Sequence, residues 1–177
     1  MVVIRPAKLS DAASLAAVAE QTFRETFAAD NSAENINLHC AQKFSTQIQG
    51  EEISDPQLVT LLADIAGELV GFAQLRLAHS TTCVKGDRPA ELHRIYVSSK
   101  WHGRGVANEL MRAIYSVAAK AGSDCLWLGV WEKNLKAIAF YRKCGFSVLS
   151  DHVFMLGQDQ QRDLIMEAHL GSLSSVA

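Results

Sequence analysis

Residues 91–107 read ELHRIYVSSKWHGRGVA and change character twice. Leu92, Ile95 and Val97 are apolar and partly β-branched, and Tyr96 is aromatic, which predicts a pleated, largely buried strand. Ser98, Ser99 and Lys100 turn the chain. Gly103-Arg104-Gly105 then stands at the mouth of a helix with an apolar stripe of Val106, Leu110, Ile114 and Val117 and a stop at Gly122. Glycines leave backbone N–H groups bare, and a helix start carries partial positive charge, so the loop is a site for phosphate. It lacks the G-x-G-x-x-G of a dinucleotide fold and the GK[ST] of a P-loop.

The chain of 177 residues suits one domain, residues 1–177, with a full core. A net charge of −2 and the lack of a basic tract argue against a nucleic-acid surface. No apolar run is long enough to span a bilayer, and the opening MVVIRPAKLS carries no secretory apolar region. Cys40, Cys83, Cys125 and Cys144 show no CxxC spacing and read as reduced thiols, hence a cytoplasmic protein. The six histidines do not fall at metal-ligand spacing, so no metal site is expected.

Around this centre the other elements follow in order. Val2 to Arg5 is a short strand stopped by Pro6. Ser10 is expected to cap a helix whose apolar face carries Leu15, Val18, Ala19, Thr22 and Phe23. Asp30-Asn31-Ser32 ends it, and Ser32 caps a second helix running through Ile36 and Cys40 toward Phe44, before a boundary at Asp55-Pro56. Gln57 to Ala63 and Glu68 to Ala78 form a hairpin turning at Gly67, and His79 to Pro89 is a surface loop. Cys125 to Trp131 is a buried strand, and Asn134 to Lys143 a short helix closed by Gly145. Phe146 to Leu149 and His152 to Leu156 are extended, Gly157 to Gln160 is a turn, and Leu164 to Leu170 is a last strand. Strands on both sides of a strand–helix–strand unit imply an α/β fold with a mixed, mostly antiparallel sheet and one parallel pair within residues 91–131.

The loop His102-Gly103-Arg104-Gly105-Val106-Ala107 resembles the pyrophosphate loop of the GNAT superfamily of N-acetyltransferases, with His102 where that pattern has Gln or Arg. Asn134, Ala137, Phe140, Tyr141, Gly145 and Phe146 match a second GNAT pattern, N-x-x-A-x-x-F-Y-x-x-x-G-F. The segments FRETFAADNSAEN, ELHRIYV, WLGVWEKN and HVFMLGQDQQRDLIM are similar to the PaiA type, a branch described as spermidine/spermine N-acetyltransferases. The resemblance implies a GNAT fold whose two central parallel strands splay apart, flanked by helices. It also implies acetyl-CoA as cofactor, held in that gap, and direct acetyl transfer to a primary amine, with a polyamine as the expected acceptor.

Three demands of such a reaction select residues. The loop from His102 to Ala107 would hold the pyrophosphate, with Arg104 adding charge at the rim. The resemblance implies that backbone groups of Ile95, Tyr96 and Val97 pair with the pantetheine arm, and that Asn134, Ala137, Phe140 and Lys143 complete the cofactor site. An amine near the Lys pKa of roughly 10.4 must lose a proton, at a cost of about 4–5 kcal/mol at neutral pH. Glu91 at the strand start is the first candidate base, and His93 two residues along is the second. Tyr141 is the expected acid for the departing thiolate. Trp131, Phe27 and Phe23 would wall the acceptor pocket, and Asp30, Glu34, Glu25 and Asp151 would draw a polyamine in. Two alternatives stay open: acetylation of a protein or peptide amine, and a CoA-binding regulatory module without turnover. A homodimer stays open as the assembly.

Overall fold

The computed structural model describes residues 1–172; the last five residues of the expected 1–177 domain lie outside the described residues. The elements run β1 (Val2–Pro6), α1 (Ala12–Phe27), α2 (Ala33–Lys43), α3 (Thr46–Ser54), β2 (Leu58–Ile65), β3 (Glu68–Arg76) and β4 (Pro89–Val97). They continue with α4 (Val106–Lys120), β5 (Cys125–Trp131), α5 (Leu135–Lys143), β6 (Ser147–Leu156) and β7 (Asp159–His169). The strands form one seven-stranded sheet in the order β1-β2-β3-β4-β5-β7-β6. Every neighbouring pair is antiparallel except β4 and β5.

Apolar side chains close both faces. On one face Val106, Leu110, Met111 and Ile114 of α4 pack with Leu75, Leu92, Leu126, Leu128 and Met166. Each fully buried side chain of this size contributes about 1.5–3 kcal/mol, so α4 is held by its stripe more than by helix propensity. The buried member of that stripe's last turn is Ala118; Val117 is half-buried. The opposite face carries Leu15, Phe23, Ile36, Phe44, Leu62 and Phe72 under α1 and α2.

Four local expectations change. The N-cap of α1 is Asp11, reached through a 3-10 turn over Leu9–Asp11, and Ser10 lies inside that turn. Asp11 is fixed there by Arg5, which donates to both its oxygens at 2.8 and 3.0 Å. The stretch 46–54 forms α3, capped by Ser45, whose Oγ accepts from Ile48 N–H. Residues 147–156 make one strand, with an irregularity between Val148 and Ser150, rather than two. The last strand begins at Asp159, because pairing Leu156 with Asp159 leaves only Gly157 and Gln158 for the turn.

Two features of β4 shape everything that follows. Its parallel pairing with β5 covers only Pro89–Cys125, Ala90–Leu126 and Glu91–Trp127; beyond Glu91 the strands part. Opposite β3, Leu92 pairs with Leu75 and Arg94 with Gln74, so His93 is the extra residue of a bulge. The bulge puts Glu91, Arg94 and Tyr96 on one face, opposite Arg76, Gln74 and Phe72.

Candidate active site

The gap between β4 and β5 opens onto a cleft of roughly 390 Å³, floored by α5 and closed at one end by the loop before α4. Gly103 and Gly105 take φ of +73° and +81°, and a side-chain carbon on either would meet nothing within 4 Å. Only glycine enters that region freely, so the loop turns onto α4 with its amides uncovered. Gly105 is the N-cap, and its carbonyl accepts the first helical bond, from Glu109 N–H. Trp101 Nε1 is buried on this cleft with no acceptor among the described residues. Bare amides, a helix start and an unused indole donor are the donor set an anionic pyrophosphate needs.

His102 lines the cleft, but both its ring nitrogens are occupied. Its Nε2–H donates to the Val97 carbonyl at 2.8 Å, and its Nδ1 accepts from the Lys136 ammonium at 2.8 Å. The ring therefore ties the loop back to β4. Ser98 N–H donates to Val70 O, so by strand alternation Ile95 and Val97 turn their backbone groups away from β3 and toward the gap. Asn134 caps α5, its Oδ1 accepting from Ala137 N–H at 3.1 Å, and Tyr141 stands two turns further along on the cleft wall. Burial, then the proximity of Tyr96 and Cys144, pushes the Tyr141 hydroxyl well above its ordinary pKa, so it holds its proton.

A second chamber of roughly 480 Å³ lies on the face covered by α1, α2 and α3, and shares Phe27, Tyr96 and Trp131 with the cleft. Its walls are aromatic. Phe23 stacks on His39 at 4.3 Å, and Phe27 lies 6.0 Å from Trp131. Burial lowers the His39 pKa to about 4, helped by Arg94 and Lys43, so the ring is neutral at pH 7. Deeper in, Arg94 donates to Glu52 at 2.7 Å and to Gln74 at 2.8 Å. Arg76 donates to Glu91 at 2.9 Å. Burial alone would raise the Glu91 carboxyl, but the hydrogen bond and charge of His93, with Arg76 and His79, outweigh it and lower its pKa.

The sequence profile of the Acetyltransferase (GNAT) family matches residues 18–146. This chain belongs to the GNAT acetyltransferase family. An uncharacterized N-acetyltransferase of Mycobacterium tuberculosis is 34% identical over 163 residues, 92% of this chain and 99% of the relative. Another, from the pepI 3′ region of Lactobacillus delbrueckii subsp. lactis, is 30% identical over 154 residues, 87% of this chain and 89% of the relative. Among solved structures, the PaiA N-acetyltransferase of Thermoplasma acidophilum in complex with coenzyme A superposes with a TM-score of 0.78 at 25% identity. The match covers 96% of this chain and 99% of that one. The splayed parallel pair and mixed sheet are those expected of a GNAT enzyme, which uses acetyl-CoA.

Of the residues singled out in the sequence, this GNAT cleft gathers Ile95, Tyr96, Val97, His102, Gly103, Gly105, Val106 and Ala107 from β4, the loop and α4. It gathers Asn134, Ala137, Phe140 and Tyr141 from α5 and its cap, with Phe27 and Trp131 at the mouth. Arg104 lies outside its lining, its guanidinium over the Trp101 ring at 4.9 Å, and so does Lys143 in the last turn of α5. The cation on the cleft is Lys136, which the sequence reading passed over although it follows Asn134 by two residues. His93 lines the chamber, whereas Glu91, Asp30 and Glu34 line neither cavity. Glu25 accepts from Ser99 N–H at 2.8 Å and braces the loop, and Asp151 pairs with Arg162 at 2.9 Å on the surface. Among the described residues no helix is long and apolar enough to cross a membrane, and no group of three His, Cys, Asp or Glu is set to hold a metal ion.

Proposed function

We propose that this enzyme moves an acetyl group from acetyl-CoA to a primary amine that enters through the aromatic chamber, with spermidine or spermine as the acceptor. The observation that carries the reading is the junction: the cofactor cleft and the chamber meet at Phe27, Tyr96 and Trp131, beside Tyr141. Bound acetyl-CoA supplies the activated acyl group. The amides from Gly103 to Ala107, the Trp101 indole and Lys136 hold its phosphates, and Asn134 orients its arm. Backbone groups of Ile95 and Val97 face the same gap and supply the donors for the oxyanion. Tyr141, protonated across the neutral range, gives its proton to the departing thiolate.

The polyamine form rests on the PaiA-like segments of the sequence, on the PaiA neighbour and on aromatic walls that suit alkylammonium groups. Of the cations lining the chamber, Arg94 is neutralised by Glu52 and Arg76 by Glu91, which leaves Lys43 in the last turn of α2 as the one that opposes it. The four cysteines are unpaired, which supports a reducing compartment such as the cytoplasm. The test follows thiol release from acetyl-CoA with spermidine, a monoamine of similar length and a lysine peptide, each at two salt concentrations. The expected result is fastest release with spermidine, weakening as salt rises. A clear preference for the peptide would replace the polyamine with a protein acceptor. Tight acetyl-CoA binding without release to any amine would leave only a CoA-binding module.

A further inference from the structure

Asp163 stands on β7 where that strand pairs with Trp131 of β5 and His152 of β6, and it lines the acceptor chamber. Its Oδ1 is buried and has no hydrogen-bond partner among the described residues. A buried polar group left unpaired costs about 1–3 kcal/mol, more when charged, so the fold carries a penalty here that only the charge of His152 partly offsets. The other groups able to take a proton on this face are occupied or weakly basic: His39 is stacked on Phe23 with its pKa lowered to about 4. Glu91 is held by Arg76 and His93. The two contacts of His93, Nδ1 to Glu91 at 3.4 Å and Nε2 to Arg76 at 3.4 Å, make Nδ1 the donor and direct its lone pair at a guanidinium. Glu52 is held by Arg94. Glu167, the other β7 acid with a bare buried oxygen, pairs with Trp127 further down the strand and lines neither cavity.

We propose that Asp163 receives the acceptor's ammonium group in the chamber and takes one of its protons. This rests on the acyl-transfer reading above. An ammonium against Asp163 has the Tyr96 and Trp131 rings, which line the same chamber, near it. One N–H bond of the ammonium breaks and its proton passes to the carboxylate, leaving the electron pair on nitrogen. That pair forms the C–N bond to the thioester carbon, and the C–S bond breaks. The thiolate takes the Tyr141 proton, and the second proton shed by nitrogen restores the phenol; the proton on Asp163 returns to solvent. The titratable and charged groups around Asp163 are His152 across the strand pair, Tyr96 on β4, and Arg94, Arg76, His93, Glu52, Lys43 and His39 elsewhere in the chamber. Burial raises the Asp163 carboxyl above the ordinary range, against the pull of His152, which makes it a better base than Glu91.

The test compares wild type, Asp163→Asn and Asp163→Glu by thiol release with spermidine and 2-phenylethylamine, and by calorimetric titration of the CoA-bound proteins with the same amines. Asp163→Asn is expected to keep its acetyl-CoA affinity, to lose roughly 10²- to 10⁴-fold in kcat/KM, and to bind either amine at least about tenfold more weakly. Asp163→Glu recovers part of both. The wild-type kcat/KM rises with pH through a limb that Asp163→Asn lacks. Because the carboxylate is unpaired in the fold, Asp163→Asn leaves Tm unchanged or raises it; a marked fall in Tm would assign Asp163 a structural role and overturn the proposal. So would kcat/KM within about threefold of wild type together with unchanged amine binding. Should wild type release thiol with no amine, the acyl-transfer reading fails. The titrations then decide alone: weaker binding in Asp163→Asn upholds the assignment, and equal or absent binding overturns it.

Discussion

Gly105→Ala isolates the phosphate cradle from the backbone strain that any change there brings. Gly105 sits at φ +81°, where an L-residue costs about 1–2 kcal/mol, and its added carbon would meet nothing within 4 Å. The cost is therefore conformational and not steric. For a chain of this size each kcal/mol lowers Tm by roughly 2–4 °C, so a fall of about 2–8 °C is expected. Gly67 is the matched control: it has φ +82°, open space around it, and lies in the β2–β3 turn away from the cleft. Gly67→Ala should lose the same stability and keep its acetyl-CoA affinity. In Gly105→Ala, relaxing the strain swings the amides of the loop off their common target. Losing one hydrogen bond to a charged oxygen, about 1.5–3 kcal/mol, weakens binding by roughly 10- to 150-fold. Gly105→Glu adds a like charge and should bind more weakly still. Calorimetry on the three folded proteins decides. Equal acetyl-CoA affinity in Gly67→Ala and Gly105→Glu would refute the cradle.

Tyr141→Phe is expected to lower kcat roughly 10²-fold or more at saturating substrates while acetyl-CoA affinity stays within a few-fold; a loss under about threefold would remove Tyr141 as the acid. Arg94→Met strands the Glu52 carboxylate, and because the two side chains are only 10% and 18% exposed this should cost about 3–5 kcal/mol, read as a lower urea midpoint. Adding Glu52→Met should recover most of it, and failure to recover would mean that the pair is not the source of the loss. His39 has a folded pKa of about 4 against an unfolded value near 6.5, so its contribution is complete above pH 6.5 and is lost as pH falls toward 4. His39→Gln should flatten part of the fall in urea midpoint between pH 7 and pH 5; an equal fall in both proteins would refute the assignment.

What could be read from the chain alone was whatever local chemistry determines. The strand, glycine loop and helix of residues 91–122 are contiguous, and the apolar stripe of α4, the β2–β3 hairpin and the Asn134 cap all announce themselves within a few residues. The helix α3 does not. Its sequence TQIQGEEIS contains Gly50 and buries only Gln49, so no apolar period exists to find. What holds it is not an apolar period: Gln49 donates to the Lys43 carbonyl at the end of α2, and Glu52 takes Arg94 from the distant β4. The first half of β7, DQQRD, is polar for a related reason. It lies outside the main cores and is set by pairing with the edge strand β6.

The same division runs through the site. The cofactor cleft is built from backbone amides and two short motifs, and motifs of that kind survive being read in isolation. The aromatic chamber is assembled from α1, α2, α3 and five strands, so its charges have meaning only through their partners. Glu91 shows how far this goes. Alternation along a strand puts Glu91 and His93 on one face, but a single bulged residue realigns Glu91 with Arg94 and Tyr96 and leaves it against Arg76. A carboxylate so placed gives up basicity to its cations. Asp163, from a stretch with no pattern at all, keeps its basicity because β5 and β6 set no donor against its buried oxygen. In this fold the strength of an acid or base is therefore decided less by which residue a strand carries than by the cation the neighbouring strand sets opposite it.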